Sequence, residues 1–81
     1  MTKAEILAAA ARGEGCLGRS QDDEPVFIIC ARDRVSSKTV HYWAIEAESI
    51  GAPPVKVERA IEDAQQMERW RETHGGGKIP D

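Results

Sequence analysis

Pro25-Val26-Phe27-Ile28-Ile29-Cys30-Ala31-Arg32-Asp33-Arg34 is the stretch on which the fold turns. Its first half is rich in β-branched and aromatic residues, which favour a strand. As a strand it is apolar on both faces, and the chain offers no second convincing strand to pair with it. A lone buried strand leaves its backbone groups unsatisfied at considerable cost. A helical reading has support of its own. Asp23 can serve as N-cap, Glu24 puts negative charge in the first turn, and Pro25 suits that turn, where its missing N–H costs nothing. A helix apolar all round is a buried central one. The helix is preferred. The strand alternative requires pairing across a homodimer, or with a short segment near Leu17 or Ile79.

Outside this stretch the helical signals are clear. Thr2 and Glu5 form a capping box ahead of Ile6, Leu7 and Ala10, and Gly13 fits the C′ position after Arg12. Gly13 to Asp23 reads as a loop. A third element spans about Ser37 to Ile50, capped by Ser36 or Ser37, with Val40, Trp43, Ala44, Ala47 and Ile50 on one face. Gly51 and Pro53-Pro54 end it. A fourth runs from about Pro54 to His74 with Val57, Ile61, Ala64 and Met67 on one face. Short Gly/Pro links favour antiparallel neighbours. The expected fold is therefore mainly α, a small bundle of about four helices over residues 1–74, with a Gly-rich tail over 75–81. The alternative is α+β, with 26–31 as a strand pairing across an oligomer. The glycines predict a flexible tail unless something holds it.

Eighty-one residues bury a modest core, and oligomerisation is a common way to gain more burial. The net charge is −3, with six basic and six acidic residues up to Lys38, then five against eight from His41 onward. Such a balance argues against nucleic-acid binding, which draws on clustered cations. With no signal peptide and no membrane-length apolar run, the chain reads as cytoplasmic, with Cys16 and Cys30 reduced and Cys30 an inert core thiol.

The motifs with chemical potential are few. Gly13-Glu14-Gly15-Cys16-Leu17-Gly18 is a literal G-x-G-x-x-G, but it follows a helix rather than a strand, which argues against dinucleotide binding. Helix capping and a turn account for it better, although a loop around Gly15 and Leu17 could still meet a ligand or partner. Asp22-Asp23-Glu24 lacks further ligands for a metal. The spacings of Cys16, Cys30, His41 and His74 match no zinc pattern and no nucleophile–base pair. No catalytic residue, metal or cofactor is expected. Arg32, Arg34 and Lys38, with His41 a turn further on, could clamp a small anion at a helix N-terminus. Their alternative role is a solvated connector neutralised by Asp33. Trp43 fits the apolar stripe, which leaves Tyr42 more exposed as a stacking or anchoring group. Trp70 is either a last core residue or an oligomer contact.

The run Gly13-Glu14-Gly15-Cys16-Leu17-Gly18, then Asp22-Asp23-Glu24-Pro25-Val26-Phe27, Asp33 and Trp43-Ala44 resembles a group of short uncharacterised proteins of tailed phages and prophages. The ending Lys78-Ile79-Pro80-Asp81 is similar to theirs as well, whereas Gly75-Gly76-Gly77 departs from the pattern. The resemblance implies a phage accessory product acting in the bacterial cytoplasm and assigns no chemistry. Within that group Arg32-Asp33 is the polar pair to watch. The functional expectation is a non-enzymatic, homo-oligomeric protein that binds a host protein or a small anionic molecule stoichiometrically. A protein-partner role predicts that Leu17, Tyr42 and Trp70 form one patch. An anion role predicts that Arg32, Arg34, Lys38 and the glycine loop converge.

Overall fold

The computed structural model describes residues 1–79, and among them the chain is mainly helical with no sheet. Four helices follow one another: α1 (Lys3–Ala11), α2 (Gly15–Arg19), α3 (Ser36–Ser49) and α4 (Pro54–Thr73).

The capping box at the start of α1 forms as expected. Glu5 N–H donates to Thr2 Oγ1 at 3.2 Å, and Thr2 N–H donates to Glu5 Oε1 at 3.2 Å. Gly13, at φ 70°, follows the helix and redirects the chain. The segment after it is not the loop the sequence suggests but the short helix α2. Gly18 makes this possible. A Cβ there would lie 2.8 Å from the Gly13 carbonyl carbon and 3.2 Å from Ala10 Cα, so α2 folds back on α1 only because Gly18 has no side chain. The glycine motif thus serves a tight turn and a close backbone approach, used here for helix packing.

The main packing is between α3 and α4. Ala44, Ala47, Val57 and Ala60 form the buried cluster, with Val40, Ala52 and Ile61 against it. The start of α3 meets the end of α4 through Ser37 and Glu68, while Ala47 near the other end joins Val57, so the two helices run antiparallel. The expected stripe is corrected at two positions. Trp43 is 54% exposed and Ile50 85% exposed. The seam is built from alanines, which bring the backbones close and leave no room for large neighbours. Nor does a serine side chain cap α3. Val35 is the N-cap, Ser36 Oγ donates to the Ala31 carbonyl at 3.3 Å, and Ser37 turns to Glu68.

Residues 25–34 are neither helix nor strand. Gln21 N–H binds Glu24 Oε1 at 3.1 Å, a local turn that starts no helix, and Asp23 caps nothing. The physical reason lies in what surrounds the segment. Helix α1 packs on α2 and α3 on α4, and no helix of one pair packs on the other. A short β-branched helix between them would gain no burial to offset its nucleation cost. The segment therefore crosses from one pair to the other with Phe27 88% and Ile28 74% exposed. Cys30 is half-buried rather than a core thiol, and both cysteines are free. An exposed ion pair from the N-terminal ammonium to Asp63, at 3.1 Å, ties α1 to α4. Such pairs contribute at most about 1 kcal/mol.

The glycine tail is held. Lys78 N–H donates to the Arg32 carbonyl at 2.8 Å, and Arg34 N–H donates to the Lys78 carbonyl at 2.9 Å, a single parallel bridge centred on Asp33. Gly77 reaches this position with φ 84°. A Cβ at Gly77 would sit 2.8 Å from Arg71 Cδ and 3.1 Å from the Arg32 carbonyl oxygen. The part of the predicted tail at 80–81 lies outside the described residues.

Candidate functional site

Among the described residues, the α3–α4 pair carries two concave surfaces of interest. The first is a cleft of about 250 Å³ lined by Ser37, Lys38, His41, Ile61, Ala64, Gln65 and Glu68. It lies beside a polar cluster centred on Arg71. That side chain is only 8% exposed. Its guanidinium donates to the Arg34 carbonyl (2.7 Å), the Asp33 carbonyl (3.4 Å), Ser37 Oγ (2.8 Å) and Glu68 Oε2 (2.7 Å). Ser37 in turn donates to the same Glu68 oxygen. Arg71 Nε is buried without a hydrogen-bond partner among the described residues. The cluster joins the end of α4 to the connector before α3, and the carbonyls it holds flank the tail bridge.

Sequence reasoning missed this cluster. Its signal was Glu68 and Arg71 three residues apart on one helix face, opposite the small polar pair Ser36-Ser37. Glu68 titrates below its ordinary value, chiefly because the Ser37 hydroxyl donates to its carboxylate, with the Arg71 charge adding to the effect. A carboxylate with a depressed folded-state value stabilises the fold fully above its ordinary value of 4.5 and loses that contribution as the pH falls through the lower one. Glu5 is lowered in the same direction, first by the Thr2 backbone hydrogen bond. Urea midpoints measured from neutral pH down to about pH 3 are expected to decline, and Glu68→Gln is expected to flatten that decline.

The second place is a groove of about 430 Å³ at the α3–α4 turn, lined by Trp43, Glu46, Ala47, Ile50, Ala52, Pro53 and Lys56. Tyr42 is exposed next to Trp43. The groove is lined mainly by apolar residues, with Glu46 and Lys56 as its charged members.

The residues singled out from sequence are distributed unevenly. Lys38 and His41 share the first cleft, with Glu68 as its acidic member. Arg32 and Arg34 are exposed on the connector and line neither concavity. Gly15 and Leu17 belong to α2, which packs only on α1. Trp70 is half-exposed and stacks on His74 with ring centroids 3.9 Å apart, while His74 Nδ1 lies 2.7 Å from the Trp70 carbonyl. The structure therefore places Lys38 and His41 in one cleft, which Arg32, Arg34, Gly15, Leu17, Tyr42 and Trp70 do not line. Among the described residues no three His, Cys, Asp or Glu side chains are grouped to hold a metal ion, and no helix is long and apolar enough to cross a membrane. No family model, curated protein or solved structure matches this chain.

Proposed function

We propose that this chain is a non-enzymatic accessory protein of the phage or prophage kind that binds a host protein stoichiometrically in the bacterial cytoplasm. The observation that carries this reading is the groove at the α3–α4 turn, where Trp43 and Ile50 stand in solvent beside exposed Tyr42. Trp and Tyr are the residues that most often dominate binding energy at protein interfaces, because a large ring buries much area at little entropic cost. Here they sit on a rigid helix, so little ordering cost is added on binding. The occupant that fits is an apolar side chain of a partner protein, with Glu46 and Lys56 as the charged groups that orient it. A small anion is less well served. Arg32 and Arg34 line neither cleft, and the cleft that does hold Lys38 and His41 also presents the Glu68 carboxylate.

Affinity capture from a bacterial lysate tests the reading. The wild-type chain is expected to retain one host protein at a fixed molar ratio, and Trp43→Ala to weaken retention by about tenfold or more. Equal retention by both, or none by the wild type, would contradict it.

A further inference from the structure

We infer that residues 25–31 form a strand that pairs antiparallel with the same segment of a second copy, about a two-fold axis at Ile28. This rests on the binding reading above only in assigning a different surface to a different occupant. The first observation is area. The chain exposes 6546 Å², whereas a folded monomer of its mass exposes about 4,800 Å². The excess of about 1,700 Å² falls within the roughly 1,000–2,500 Å² that each subunit of an obligate homodimer contributes. The radius of gyration, 13.5 Å, likewise exceeds the roughly 11.7 Å of a compact domain of this length.

The second observation is the state of the segment. Residues 25–29 make no backbone hydrogen bond with any described residue, yet their composition favours a strand and their side chains are largely in water. A β-prone segment with both backbone edges unpaired is a template for strand pairing with another chain. The charge pattern selects which one. Asp22-Asp23-Glu24 precedes the apolar run and Arg32 and Arg34 follow it. Turns close both ends of the run, at Gln21–Glu24 and Cys30–Asp33, so antiparallel pairing about Ile28 brings the acidic turn of each copy beside the basic turn of the other, twice by symmetry. Parallel pairing would instead align acids with acids and arginines with arginines, which is unfavourable. Antiparallel pairing also sets Val26 opposite Cys30, Phe27 opposite Ile29, and Pro25 opposite Ala31. Residues opposite each other alternate between hydrogen-bonded and non-bonded pairs. With Ile28 in a bonded pair, Pro25 falls in a non-bonded one, where its missing N–H is not needed.

Sedimentation velocity on the purified full chain tests the inference. The wild type is expected to sediment as a dimer at micromolar concentration. Reversing the arginines (Arg32→Glu with Arg34→Glu) is expected to weaken the dimer about tenfold or more. Adding Asp22→Arg and Glu24→Arg to that chain is expected to restore it. All four side chains are exposed, so helical content measured by circular dichroism is expected to stay unchanged. In a chain with Cys16→Ser and Cys30→Ser, Ile28→Cys is expected to cross-link two copies on mild oxidation, since paired strands lie within disulfide reach. Ile50→Cys, equally exposed but distant, is expected not to. A wild-type monomer at high micromolar concentration, or a dimer indifferent to the charge reversals, would overturn the inference. A monomer that still captures a host protein overturns it and leaves the proposed function standing. A dimer that captures none does the reverse.

Discussion

Arg71→Ala is expected to lower the unfolding free energy by about 2–3 kcal/mol. A chain of 81 residues has only about 4–12 kcal/mol in total. Arg71 is buried and donates to four acceptors on three stretches of chain: the carbonyls of Asp33 and Arg34, Ser37 on α3, and Glu68 on its own helix. Truncation leaves Ser37 Oγ and the two carbonyls without their donor, where unmade hydrogen bonds are costly, whereas the exposed Glu68 carboxylate returns to water. It also removes the alkyl stem against which Gly77 rests. Arg71→Lys is expected to recover less than half of the loss, because one ammonium cannot reproduce the planar fork that spans these acceptors. The readouts are the urea midpoint and the amide exchange of Arg34 and Lys78. Both amides belong to the tail bridge and are expected to exchange faster in either variant. An Arg71→Ala chain within 0.5 kcal/mol of wild type would show that the cluster is incidental.

The second large effect concerns two adjacent residues that sequence and structure rank in opposite order. Ala44→Leu is expected to cost about 2 kcal/mol, while Trp43→Ala is expected to cost well under about 1 kcal/mol. Ala44 is 1% exposed in the seam with Ala47, Val57 and Ala60. Three added carbons there must push α3 off α4 or adopt a strained rotamer. Trp43 is more than half in water, so truncating it removes little packing. Thermal or urea unfolding of the two variants decides the matter. A destabilised Trp43→Ala beside an unaffected Ala44→Leu would place the ring in the core and overturn the packing described for α3.

The same pair of residues shows what can be read from a sequence of this kind. Helical periodicity placed both near one apolar face, and a large ring is the usual anchor of such a face. The seam went to alanines instead, because close helix packing repays small side chains in a way that hydrophobicity alone does not signal. Helix ends were legible where the chemistry is local: the Thr2–Glu5 box, the turn at Gly13, the Gly51 stop and Pro54. Pro25 to Arg34 was not legible, because its state depends on what packs beside it. The capping residues before it were suitable for a helix, yet no neighbouring element offered a surface to bury against. Arg71 was opaque for a related reason. Arg–Glu pairs on a helix surface are common and mostly solvated, and only the approach of Ser37 and two carbonyls from elsewhere makes this one structural. The segment near Ile79 was one of the partners a strand at 26–31 would require, but the bridge that forms is a single one, at Asp33 and Lys78, beyond the apolar run.

These observations converge on a chain that leaves more surface open than a folded monomer of its mass retains. Completion by other chains is the central claim. Native mass spectrometry of the protein recovered from a bacterial host lysate tests it most directly, since oligomer mass and any retained protein are read together. The expected result is two copies carrying a host protein at a fixed ratio. A bare monomer with nothing bound would contradict the claim.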